Sequence, residues 1–197
     1  MAGINSNKNL HLLWRAGFGP AVTDIQGLDK WNQDELFKQM LKSSSKPPVY
    51  INVASNMLQG LFKGIREEGK MQELTKEQKQ EIRKQSREDL KTLNLQWLNE
   101  MVHSEAQLRE KMAFFWHGHF ACREINIFYQ QILLDIIRKN ALENFGDLLK
   151  EVSKSASMLS FLNNQQNRKQ SPNENFAREV MELFTLGRGN YTEKDIK

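Results

Sequence analysis

The sequence is poor in the features that would make several function classes easy to defend. A single cysteine, Cys122, stands among 197 residues. It has no partner for an intramolecular disulfide, and no zinc site can be built on several thiolates. Four prolines and eleven glycines punctuate the chain only lightly. Alternating apolar and polar runs are nearly absent. Val49-Tyr50-Ile51 is the best strand candidate, and it is too short to build a sheet. No apolar run approaches the ~18 residues of a membrane span. Met1 to Leu10 is polar and has no apolar signal core, so Met1 as the native start predicts a cytoplasmic chain, whereas a start further upstream would allow an exported one. No charge of one sign dominates either. The most charged stretch, Lys63 to Lys91, carries nine basic and seven acidic residues, and the whole chain has a formal charge of only +4. A near-cancelling balance gives no strong nucleic-acid signal.

What is present points to helices. Apolar residues recur mostly at helical spacing, and 39% hydrophobic with 26% charged residues suits a folded chain rather than a disordered one. The expected fold is all-α: an irregular multi-helix array around one core, with residues 1–197 forming a single helical domain. A first helix is predicted from Lys8 to Ala16, stopped by Gly17-Phe18-Gly19-Pro20. Thr23 can cap a short turn into Leu28. Asn32 with Glu35 has capping-box character and opens a helix to Leu41. A loop at Ser43 to Pro48 precedes a helix predicted over Val53 to Ile65.

Thr75 with Gln78 has capping-box spacing and opens one long helix. Its first half, Lys76 to Asp89, is very polar and is predicted to project into solvent. Leu90, Leu93, Trp97 and Met101 line one face of its second half, which is predicted to be buried. Ser104 with Gln107 can cap Glu105 to Trp116. Ile125 to Lys139 is strongly apolar and is the predicted central helix. Leu142 to Val152 and Ala156 to Leu162 follow, then a polar loop at Asn163 to Asn167. Ser171 opens the last full helix, and Thr192 with Asp195 starts another.

Two segments could carry chemistry. In Phe114-Phe115-Trp116-His117-Gly118-His119-Phe120, two histidines flank a glycine, and neutral imidazole is a good ligand for a divalent transition metal. On a continuous helix the i, i+2 spacing sets the two rings about 200° apart. Joint chelation by His117 and His119 therefore requires a break at Gly118, which glycine permits. The alternative is a pair of rings bonded to backbone carbonyls at a buried helix end.

In the second segment, Ser171 as N-cap, Pro172 at the first helical position and Glu174 closing a capping box explain the start without invoking function. Beyond it, Asn175, Arg178, Glu179 and Glu182 fall within about 100° of arc. Glu179 and Glu182 could act as ligands or general bases and Arg178 as an anion partner. The same arc could equally be a solvated face on which Arg178 neutralises Glu182. Cys122 lies near His119 and Arg123 but reads as an inert, partly buried thiol.

Three ordered blocks of this sequence resemble one family. They are His11-Leu12-Leu13-Trp14-Arg15-Ala16-Gly17-Phe18-Gly19-Pro20; Leu108-Arg109-Glu110-Lys111-Met112 with Phe115-Trp116-His117-Gly118-His119-Phe120; and Asn164 through Pro172-Asn173-Glu174-Asn175-Phe176-Ala177-Arg178-Glu179 to Thr192. They are similar to the signatures of a large bacterial family known as domain of unknown function number eighteen hundred. That family usually has Asn where Gly118 stands. The resemblance implies members well over twice this length, of which this chain would be the N-terminal part. A helical segment with a threonine-glycine-tryptophan signature would follow. Many members look exported, and none has an established activity. The resemblance also implies that His117, His119, Glu174, Arg178, Glu179 and Glu182 matter together.

Two functional readings result. The preferred one is a non-enzymatic interaction or scaffold module, in which the signature residues form a buried polar network and the chain meets a protein partner or a C-terminal portion. The alternative is a metal-dependent enzyme, such as a hydrolase. It would use His117 and His119 as ligands, Glu179 or Glu182 as ligand or general base, and Arg178 as a carboxylate partner. A small-molecule or polymer site near Trp116 is a third option.

Overall fold

The structure is a computed structural model that describes residues 2–56, 58–59, 75–169 and 173–196. The fold is all-α, and no strand occurs among the described residues. Helix α1 (Ala2–Ala16) leads through a 3₁₀ segment (Val22–Lys30) to α2 (Gln33–Ser43). The long α3 (Lys76–His103), α4 (Gln107–His119) and α5 (Ile127–Asn140) follow, then α6 (Phe145–Lys154) and α7 (Ala156–Phe161). A short α8 (Asn175–Glu179) runs straight into a π-helical turn (Val180–Thr185), and α9 (Glu193–Ile196) closes the described chain.

The local signals explain most of the boundaries. The Thr75 hydroxyl accepts from the Gln78 N–H, and the Gln78 side chain returns the bond to the Thr75 N–H at 2.9 Å, so the capping box that starts α3 is complete. Asn32 caps α2 by accepting from the Asp34 N–H at 3.0 Å. Asn126 and Asn144 do the same for α5 and α6. At Thr192 the backbone N–H donates to the Asp195 carboxylate at 2.7 Å, opening α9 where the sequence places it. Thr23 does not cap; its hydroxyl donates to Asp24 instead. The Ser171 and Pro172 start lies outside the described residues, as does most of the helix expected over Val53 to Ile65.

Helix α5 is the centre, as its apolar sequence predicts. It packs against α3, α4, α6 and α7. Ile127, Leu133, Leu134 and Ile137 join Leu93, Trp97, Met101, Ala113, Phe120, Leu148, Val152, Met158 and Phe184 in one core. Each such side chain withdrawn from water contributes roughly 1.5–3 kcal/mol.

The solvated first half of α3 holds only in part. Ser86 and Asp89 are buried, and Asp89 meets the backbone of the segment over residues 49–55 at Ser55. Residues 49–55 have no regular secondary structure; polar side chains pin them instead. Gln131 Oε1 accepts from the N–H groups of Val53 (2.6 Å) and Ala54 (3.0 Å). An Asp89 oxygen accepts from the Ser55 N–H at 2.9 Å, and Arg138 Nη1 donates to the Val49 carbonyl at 2.7 Å. A backbone with no ladder thus satisfies its polar groups through side chains rooted in α3 and α5.

Candidate functional site

The polar centre of the molecule lies where α3, α4 and α5 meet. Glu110 on α4 is 1% exposed and Arg138 on α5 is 1% exposed. Arg138 Nη2 reaches Glu110 Oε1 at 2.8 Å, and its Nε donates to both carboxylate oxygens at 3.0–3.1 Å. The Trp97 indole N–H from α3 donates to Glu110 Oε2 at 2.9 Å. Glu110 is therefore a fully enclosed carboxylate with every donor supplied by the fold, which is the condition under which a buried charge is tolerated.

Its neighbour Arg109 serves the end of α5. Its Nη1 donates to the carbonyls of Arg138 (2.9 Å) and Lys139 (2.8 Å), and its Nε donates to the Ser44 carbonyl at 2.8 Å. The Trp116 indole donates to the Ala141 carbonyl at 3.0 Å. The last turn of a helix leaves carbonyls unpaired and carries partial negative charge, so a guanidinium and an indole placed there hold α4 against the C-terminus of α5. Burial also pushes the Arg109 pKa below its ordinary value.

The histidine pair sits one turn further on. Helix α4 runs unbroken through Gly118 to His119, so the break that joint chelation requires is absent. The His117 ring packs 5.1 Å from the Trp97 ring, and burial lowers its pKa, favouring the neutral form. His119 points elsewhere, among Phe115, Trp116, Phe120, Phe145 and Phe184. Its Nε2 lies 3.1 Å from the Phe184 carbonyl, an unpaired acceptor at the end of the π-helical turn. The two rings are not brought together. Of the two sequence options for this pair, His119 follows the carbonyl-bonded one.

The carboxylates of the third block are drawn elsewhere again. Arg178 holds Glu193 in a two-pronged pair at 2.9 and 3.0 Å, with Glu174 3.6 Å away. The Glu193 carboxylate raises the Arg178 pKa further. Glu182 accepts from the Tyr191 hydroxyl at 2.6 Å, which raises the Tyr191 pKa and keeps it a phenol donor. Glu174 does not cap α8 with its side chain. The wide π turn from Val180 also departs from 100° per residue, so the polar arc counted for a regular helix does not extend to Glu182.

Glu179 and Glu182 share no partner with either histidine. Among the described residues no three His, Cys, Asp or Glu side chains gather as a metal site requires. Burial pushes the Cys122 thiol up to about 11, so it stays protonated and unreactive.

Sequence reasoning missed Trp97, Arg138, Asp89 and Gln131 as polar anchors. A signal was present in α5. Ile127, Gln131, Leu134 and Arg138 repeat at i, i+4, i+7, i+11, so both polar residues lie on the core stripe rather than on the outer face.

The fold and this centre define a class: an α-helical array whose buried polar side chains tie helix to helix. Residues 11–197 match the family described as protein of unknown function (DUF1800), and the chain belongs to that family. No curated protein and no solved structure matches it. No helix among the described residues is long and apolar enough to cross a membrane.

Proposed function

We propose that residues 1–197 act as one non-enzymatic helical scaffold, whose signature residues hold the helices in place so that an outer face can meet a protein partner. The observation that carries this reading is the fate of the polar groups in the second block. Arg109 and Trp116 hold the end of α5, Glu110 is enclosed by Arg138 and Trp97, and His119 meets the Phe184 carbonyl. An active-site acid, base or ligand needs a free lone pair or proton facing a space that substrate can enter; Arg109, Glu110 and the two indoles spend theirs inside the fold, and His119, which borders the open groove beside α4, commits its Nε2 to the Phe184 carbonyl.

Metal content provides the test. Purified protein supplemented with zinc, iron and manganese is expected to retain no stoichiometric metal by inductively coupled plasma mass spectrometry. Near-stoichiometric metal that disappears in a still-folded His117→Ala, His119→Ala double variant would overturn the scaffold reading. It would restore the metal-dependent one, with His117 and His119 as ligands and Glu179, Glu182 and Arg178 in the supporting roles.

A further inference from the structure

We propose that the outer face of α4 is a docking groove for an acidic amphipathic helix of a partner protein. The proposal rests on the interaction-module reading above and gives it a partner chemistry. The groove is open and holds about 690 Å³, lined by Arg15, Lys111, Met112, Phe114, Phe115, the bare backbone of Gly118 and the half-buried His119 ring. Phe114 and Phe115 are 54% and 55% exposed, although each is anchored on one side. Phe114 leans on the Phe18 and Trp97 rings at 6.3 and 6.2 Å, and Phe115 on Trp116 at 4.8 Å. Two rigid aromatic rings held in place yet open to water are the kind of residue that carries binding energy at protein interfaces.

Charge selects the occupant. Both ionised side chains on the groove wall are cations, and no carboxylate lines it. Lys111 is held over the Phe18 ring, its Nζ 4.8 Å from the centroid, so its charge is fixed beside the apolar floor. A partner with apolar side chains at i, i+3/i+4 and i+7 can fill the floor while its flanking carboxylates meet Arg15 and Lys111. A small polar ligand is disfavoured because His119, whose Nε2 already meets the Phe184 carbonyl, is the one uncharged polar side chain on the wall, so few hydrogen-bonding groups converge. An anionic membrane would favour a broad basic face with several cations, where this groove has two.

Gly118 makes the groove testable without damage to the core. A Cβ built there meets nothing within 4 Å, so a side chain added at this position starts in open space, and circular dichroism checks that the fold is kept. The probes are two fluorescein-labelled 18-residue helical peptides with the same leucine and phenylalanine stripe, one flanked by glutamates and one by lysines. Fluorescence anisotropy with the whole chain is expected to show binding of the glutamate peptide and at least tenfold weaker binding of the lysine peptide. Gly118→Trp and Phe115→Asp are each expected to weaken the glutamate peptide at least tenfold, with circular dichroism unchanged. The Arg15→Glu, Lys111→Glu double variant is expected to reverse the preference.

Equal binding of both peptides, no binding of either, or binding indifferent to Gly118→Trp would overturn the proposal. Binding to phosphatidylcholine vesicles containing one-third phosphatidylserine, lost in the double charge variant, would overturn it in favour of a membrane. Metal content separates this result from the scaffold reading. A metal-free protein that binds neither peptide loses only the groove, whereas stoichiometric metal at the histidines removes the reading on which the groove rests.

Discussion

Two arginine–carboxylate pairs in this molecule share the same chemistry and differ in surroundings. Arg138 and Glu110 have side chains 2% and 1% exposed, whereas Arg178 and Glu193 are 37% and 66% exposed. Both pairs have bidentate geometry with bonds near 3 Å. In water the attraction is screened and each side chain gives up conformational freedom, so the outer pair contributes little. In the core neither group can return to water when its partner is lost, so each depends on the other. The arginine–carboxylate pair centred on Glu110 therefore builds the fold and the one centred on Arg178 lies at its surface, although the sequence shows the same residue types in both.

The sharpest break of that comparison is Glu110→Ala. It leaves the buried Arg138 guanidinium with only the partly exposed Glu100 carboxylate, 3.5 Å away, and urea denaturation is expected to show a loss of about 3 kcal/mol. A Glu110→Met, Arg138→Met double variant removes both charges together and is expected to recover most of that loss, since a well-packed apolar pair of similar volume is often neutral or better. If the double variant is no more stable than the single, the pair is not a closed unit. Trp97→Phe keeps most of the ring and deletes one donor to a buried carboxylate. The expected cost is roughly 1.5–3 kcal/mol, the range for a hydrogen bond to a charged group, read from the same denaturation curves.

His117 supplies a pH test of the same enclosed region. Burial lowers its pKa in the folded state, so between the folded pKa and the ordinary value near 6.5 the unfolded chain binds more protons. Stability is then full above pH ~6.5 and declines as the pH falls toward the folded pKa. His117→Gln is expected to flatten that part of the stability–pH curve. Parallel curves for parent and variant would mean that the ring is not held neutral. Smallest of all should be Arg178→Ala, expected to leave the thermal midpoint within error at physiological salt. A large shift would show that the outer pair is structural after all.

Much of the fold was legible because its signals are local. The Thr75–Gln78 capping box, the Thr192–Asp195 start of α9, the stop after Ala16 and the apolar run that becomes α5 each depend on residues within a few positions of one another. Val49-Tyr50-Ile51, the best strand candidate, forms no strand, and the partners it does find were not legible. Its polar groups are met by Arg138 and Gln131, about eighty to ninety positions away.

The candidate site was legible only as an inventory. His117 and His119 are plausible ligands by type. Their fate turned on whether α4 breaks at Gly118, which glycine permits without requiring. The burial of Asp89 on a polar stretch of α3 was hidden for a related reason: a charged window predicts a wet face only until another segment meets it.

The sequence by itself determined that this chain is helical, where several of its helices start or stop, and which family it belongs to, because periodicity, caps and motif blocks are written in neighbouring residues. Only the tertiary structure decided which polar residues are enclosed and which are free. That choice depends on what packs against each side chain from far along the chain, and an arginine, a glutamate or a histidine reads the same in sequence whether it ends in water or in the core.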